Sequence, residues 1–288
     1  MVEIPVKRPC AYCVIPSLRG KFRSRTKESI LEEARLLAAS GVKELIIVAQ
    51  DITRYGIDLY GKVCLTELLK ELCKLDFRWV RLHYLYPELI DDELIDEIAS
   101  EDKIVKYLDI PIQHINDTIL RRMNRRGTGE EIRALFKKLR ERIPGLVLRT
   151  SLITGLPGEG EAEFEELCDF LREAKIERAG VFPYSPEEGT PAALMPDRCS
   201  TEEAQRRAEL CMEIQAEIMD GFAETFIGRE LDVLVMGREP DGTPWGRSEY
   251  DSPDIDSRVI FSGDAAPGDM VRVRIDSVDD GELIGEQI

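Results

Sequence analysis

Two thiols three positions apart, Cys10 and Cys13, sit in the stretch Arg8-Pro9-Cys10-Ala11-Tyr12-Cys13-Val14-Ile15-Pro16. A run of Lys and Arg follows. From Lys7 to Lys27 there are seven Lys or Arg and no Asp or Glu, in a chain whose net charge is −17. Positive charge beside a Cys-x-x-Cys pair favours the thiolate, the form that ligates a metal or an iron–sulfur cluster. The same residues also suit a buried Cys and a solvated basic loop, so the pair alone leaves both readings open.

Other residues able to do chemistry gather after apolar segments. They are Gln50-Asp51, His83-Tyr84, Gln113-His114, Gly155 to Glu159 and Tyr184 to Gly189. His114 could titrate or contact a ligand, or could be a satisfied structural histidine. Gly155-Leu156-Pro157-Gly158-Glu159 lies between a strand and a helix, where glycines let backbone approach an anionic ligand. A plain strand-to-helix turn accounts for it better. Met123 and Met212 fall on apolar helical faces and read as core. Arg121, Arg122, Arg125 and Arg126 form a second basic cluster and read as a solvated face.

These residues need a frame. Ile30, Leu31, Ala34, Leu37 and Ala38 keep helical spacing over Lys27–Ser40, and Gly41 ends that helix. Further helices are predicted at 65–75, 91–99, 117–123, 130–142, 161–174 and 200–226. Strands are predicted at 44–50, 79–84, 107–112, 146–154 and 179–184, with a stub at Val2, Ile4 and Val6. The alternation of strand and helix means parallel βα units. A partial (β/α)6 barrel fits better than a doubly wound sheet, because the polar clusters all follow strands, where such barrels bind ligands. Gln50, Gln113, His114 and Glu159 should then face one cavity on the Cys10/Cys13 side.

After about Phe226 the texture changes to short alternating strands punctuated by Gly and Asp-Gly, predicting a small five-stranded all-β barrel. Residues 227–288 hold 15 Asp or Glu against 6 Arg and no Lys, a net −9. No stretch has the apolar length of a membrane span, and no signal peptide opens the chain. Seven scattered Cys do not form a disulfide framework, so a reducing cytoplasm is expected. The acidic balance argues against general nucleic-acid coating, which needs clustered cations.

Taken together, CAYCVIPSLRGKFRSR, QDITRYGID, YLDIPIQH, RTSLITGLPGE and VFPYSPEEGTPAA resemble the motifs of radical-SAM methylthiotransferases. The segment Gly246–Asp256 is similar to the RimO branch, which modifies an aspartate of ribosomal protein S-twelve. The resemblance implies a radical-SAM core over 1–225 and a TRAM domain over 226–288. It implies a 4Fe–4S cluster on Cys10 and Cys13, and S-adenosylmethionine contacts from Tyr12, Gln50, Gln113, His114, Arg149, Gly155, Pro157 and Glu159. It also implies an auxiliary 4Fe–4S cluster, an electron donor such as flavodoxin or ferredoxin, and a basic ribosomal partner met by Asp251, Asp254 and Asp256. Two departures stand out. The first Cys of the family's Cys-x-x-x-Cys-x-x-Cys loop falls on Val6, and the three-Cys domain of the auxiliary cluster does not precede the loop, as though the chain began late. Val6→Cys should raise iron content. Competing readings are an inactive fragment that only binds the ribosomal protein, a tRNA methylthiotransferase, and a small metal-binding scaffold.

Overall fold

A computed structural model describes residues 10–288. The expected stub at Val2, Ile4 and Val6, and with it the Val6 position, lies outside the described residues. The thiol turn leads into α1 (Ile15–Arg19) and α2 (Lys27–Ala39). Then follow β1 (Glu44–Ile47), α3 (Ile57–Tyr60), α4 (Leu65–Leu72), β2 (Trp79–Leu82), α5 (Asp92–Ser100) and β3 (Ile104–Asp109). After α6 (Asp117–Arg122) and α7 (Gly129–Arg142) come β4 (Val147–Thr154), α8 (Glu161–Ala174), β5 (Arg178–Pro183) and the long α9 (Thr201–Glu224).

The five strands pair in chain order, β1-β2-β3-β4-β5, and every pairing is parallel. Sequential order with right-handed crossovers puts all the helices on one face. The sheet is therefore the described part of a half-barrel and not a doubly wound sheet. Strand alternation sorts the residues. In β4, Leu148 and Leu152 are fully buried and join Val80, Leu82 and Leu108 in one core with Leu69, Ile95, Phe136 and Phe170 from the helices. Each such side chain contributes about 1.5–3 kcal/mol by leaving water. Arg149, Ser151 and Ile153 alternate with them, point to the concave side, and are only partly buried.

Helix starts follow local chemistry. Thr26 caps α2, Asp91 caps α5 and Ser200 caps α9 through backbone N–H groups. Thr128 and Glu131 close a reciprocal capping box on α7. Two strand ends differ from expectation. The strand at 79–84 stops at Leu82 because Tyr84 turns left-handed, with φ 61°. The strand expected at 107–112 runs instead over Ile104–Asp109 and resumes only as a bridge from Gln113 to Leu152.

The C-terminal strands are β6 (Glu230–Arg238), β7 (Pro244–Ser248), β8 (Val259–Ser262), β9 (Met270–Asp279) and β10 (Glu282–Gln287). They close a barrel in the order β10-β8-β7-β6-β9 around Val233, Val235, Phe261, Val273 and Ile275. Met212, read as core, is exposed on α9.

Candidate active site

Cys10 and Cys13 lie on one tight turn, with the Cys13 N–H donating to the Cys10 carbonyl at 3.1 Å. The turn is tied on both sides. The Ala11 N–H donates to the Met123 carbonyl at 2.9 Å, and the Ala192 N–H donates to the Ala11 carbonyl at 2.9 Å. Ala11, Met123, Leu156, Tyr184 and Ala192 pack together beneath it, with Tyr12 and Met195 alongside. Met123 is thus core, as expected, and the core it joins supports the thiol turn. Both thiols remain partly exposed.

Arg125 is the residue that sequence reasoning missed. Placed among solvated arginines, it is buried instead. Its Nη1 lies 3.8 Å from Cys10 Sγ, its Nη2 donates to the Pro111 carbonyl, and its guanidinium sits 4.9 Å from the Tyr86 ring centroid. A fixed cation so close to a thiol stabilises negative charge on sulfur, whether on a thiolate or on a sulfur-rich cluster. Burial raises the Tyr12 phenol well above its ordinary range and lifts Tyr86 to about 12, so both stay protonated. The one signal in the sequence was an arginine run interrupted by Met-Asn.

Gln113 is left-handed, with φ 73°, and Tyr84 is left-handed at the equivalent end of β2. Non-glycine residues in that region store strain, which is kept where the surroundings fix it and gathers at functional sites. The Gln113 N–H donates to the Ser151 carbonyl at 2.9 Å, and the Ile153 N–H donates to the Gln113 carbonyl at 2.8 Å. These bonds hold Gln113 at the rim of the sheet. Gln50 is exposed beyond β1. Beside it Asp51, its carboxyl pushed up by burial, accepts from the Thr53 N–H at 3.0 Å.

Four residues expected to contact a cofactor also make close contacts within the chain. Glu159 accepts from the Gly155 N–H at 2.8 Å and from Arg207 of α9 at 2.9 Å. Its second oxygen faces His114 Nε2 at 3.4 Å. The Asn116 N–H donates to His114 Nδ1 at 3.0 Å, so the ring proton sits on Nε2 and points at Glu159. His114 and Glu159 are both buried, with Arg207 of α9 closing over Glu159. Burial works against the charged Glu159, but His114, the Gly155 N–H and Arg207 outweigh it and hold the carboxyl below its usual range. Gly155, φ 74°, is required because a Cβ there would come within 2.4 Å of Ala204 Cβ on α9. Pro157 is buried too.

The concave face carries a second, larger set of polar groups. Arg149 pairs with Asp109 at 2.9 Å, and His83 Nδ1 lies 3.6 Å from the other Asp109 oxygen. Ser252 of the C-terminal barrel reaches His83 Nε2 at 3.1 Å. Arg178 donates to Asp251 at 2.7 Å, Tyr107 to Asp256 at 2.6 Å, and both Arg81 and Arg247 bond Glu44. The segment 247–256 is therefore a plug inserted into the half-barrel. Asp251 and Asp256 cannot meet a partner as expected, because their carboxylates are spent inside this chain. Asp254 is exposed.

The arrangement is a thiol turn seated over the strand ends of a parallel half-barrel, with a charged lumen below. A model of the radical SAM superfamily matches residues 7–171, and one of the TRAM domain matches residues 227–288. The chain belongs to the radical SAM superfamily and ends in a TRAM domain. It is 49% identical over 280 residues to the ribosomal protein uS12 methylthiotransferase RimO of Caldanaerobacter subterraneus subsp. tengcongensis, covering 96% of this chain and 64% of that protein. It is 51% identical over 283 residues to the protein of the same name in Geobacter sulfurreducens, covering 97% of this chain and 63% of the relative. The chain thus spans somewhat under two thirds of the length of these relatives. Among solved structures, the radical S-adenosylmethionine methyltransferase TsrM from Kitasatospora setae shares the fold at TM-score 0.55 and 20% identity, over 65% of this chain and 37% of that one. Streptococcus suis SuiB does so at 0.51 and 18%, over 73% and 44%.

Proposed function

We propose that this chain carries the radical-SAM core and TRAM domain of a methylthiotransferase that modifies the β-carbon of an aspartate in small-subunit ribosomal protein uS12, in the cytoplasm. The observation that carries the chemistry is the Cys10–Cys13 turn with Arg125 wedged beneath it. Two thiols on one anchored turn, against a fixed cation, fit two corners of an iron–sulfur cluster. The third thiolate has no counterpart among the described residues, where no group of three His, Cys, Asp or Glu is poised to hold a metal. When bound, a 4Fe–4S cluster with S-adenosylmethionine supplies a radical that abstracts hydrogen from an unactivated carbon.

The chain's own residues do the rest. Ala11 and Met123 fix the turn, Arg125 offsets charge on the sulfur, and Gln113 presents polar groups at the rim. Arg149, largely buried, is held by Asp109 at 2.9 Å on the concave face. The TRAM surface supports a protein partner over RNA. Arg238, Arg258, Arg272 and Arg274 each pair with carboxylates of the domain, Arg247 with Glu44, and Arg229 lies over the Phe226 and Tyr250 rings. Of the six arginines only Arg229 lacks a carboxylate partner, while Asp241, Asp254, Asp269, Asp279 and Asp280 are exposed without an ion pair among the described residues. Such a surface steers a basic protein. Incubation of the reconstituted chain with uS12, S-adenosylmethionine, a sulfur source and a flavodoxin or ferredoxin tests the reading. Methylthio-aspartate in uS12 by peptide mass supports it, and modification of tRNA instead assigns the chain to the other substrate class.

A further inference from the structure

Away from the thiol turn, Cys168 on α8 and Cys211 on α9 place their sulfurs 3.9 Å apart. Both are free thiols. Cys211 is fully buried, whereas Cys168 edges onto a cleft of about 580 Å³ between the two helices. The cleft is lined by the apolar Phe164, Leu210 and Ile214 and by the acidic Glu165, Glu213 and Glu217. Arg172, also there, is engaged by Asp169 at 3.0 Å.

We propose that Cys168 and Cys211 form a redox site that reacts with a small neutral peroxide and closes to a disulfide. Cys168 is the attacking sulfur, because it alone of the pair reaches the cleft. A hydrogen bond from Cys211 lowers the Cys168 thiol below its ordinary range, while the same contact and burial raise Cys211. The Cys168 thiolate attacks one peroxide oxygen, the O–O bond breaks, and the departing hydroxide takes a proton to become water. Cys168 is then a sulfenic acid. The Cys211 sulfur attacks Cys168, the S–S bond forms, and the sulfenic hydroxyl leaves as a second water with the Cys211 proton. Two thiols lose two electrons, and the peroxide gains them. The sulfurs must close from 3.9 Å to about 2.05 Å, a side-chain rotation between two packed helices. The acidic side chains disfavour anionic disulfides such as oxidised glutathione and leave hydrogen peroxide unhindered. The bond staples α8 to α9, the helix whose Arg207 holds Glu159.

The test is peptide mapping of the full chain after hydrogen peroxide, with dimedone present to label sulfenic acid. The wild type should yield a Cys168–Cys211 disulfide peptide. Cys211→Ser should carry dimedone on Cys168, and Cys168→Ser should leave Cys211 as a thiol. Oxidised glutathione at the same concentration should act about tenfold more slowly. A wild-type pair that stays reduced while Cys199 oxidises, or dimedone appearing on Cys211, overturns the proposal. So does faster closure by oxidised glutathione. The wild-type map alone is decisive if either variant fails to fold.

Discussion

Single residues carry separable jobs in this molecule, and Glu159 has one inside the chain that its motif does not announce. In a glycine-rich strand-to-helix turn it reads as a ligand contact, and its carboxylate accepts from Gly155 and Arg207 and faces His114 Nε2 at 3.4 Å within the chain. Glu159→Gln removes the buried one of three carboxylates around Arg207, Glu203 at 2.8 Å and Glu161 at 3.3 Å remaining, and should cost about 2 kcal/mol in urea unfolding. An unchanged midpoint would contradict the assignment. The sign of the pH dependence follows from the lowered Glu159 value: its stabilisation is complete above the unfolded carboxyl pKa of about 4.3 and is lost as pH falls below it. The variant should therefore show a shallower loss of stability on acidification. Arg125 works differently, acting on sulfur without being spent on a carboxylate. Arg125→Met should lower the iron retained after reconstitution several-fold while the far-ultraviolet spectrum stays native. Equal iron in both proteins would remove Arg125 from the site.

At the scale of elements, the parallel half-barrel was legible because its strands are short apolar runs and its helices keep their spacing and caps. Glu161–Ala174 matches the expected range at both ends. What escaped was the direction of polar groups. His114 and Glu159 follow strands, as ligand residues do, but beyond the left-handed Gln113 they end buried against each other. Linear spacing does not record that placement. Arg81 in Trp-Val-Arg-Leu and Arg178 at the start of β5 were equally silent, since a charged residue in a strand has meaning only once its distant partner is known. Gly155 is a sharper case, because helix packing by itself already demands glycine there. Gly155→Ala should cost about 3 kcal/mol through strain at positive φ and collision with Ala204. Thermal unfolding within experimental error of wild type would refute that account.

For the whole molecule, the acidic C-terminal domain divides its carboxylates between two tasks. Asp251 and Asp256 dock the domain into the half-barrel, and the outer carboxylates shape its field. Asp251→Asn weakens the buried contact to Arg178, so it should lower the unfolding midpoint rather than change partner kinetics. Asp254, Asp279 and Asp280 changed together to Asn should slow association with a basic ribosomal protein several-fold. The effect should fade as salt shortens the screening length to about 8 Å at physiological strength. Tighter binding of tRNA than of the ribosomal protein at matched salt would overturn the partner reading.

The central claim is that the Cys10–Cys13 turn holds an iron–sulfur cluster that S-adenosylmethionine touches. Anaerobic reconstitution of the chain with iron and sulfide, followed by visible absorbance before and after S-adenosylmethionine, tests it most directly. The account predicts a broad charge-transfer band that S-adenosylmethionine alters, lost in Cys10→Ser and in Cys13→Ser. An identical band in the doubly substituted chain, or one indifferent to S-adenosylmethionine, would contradict it.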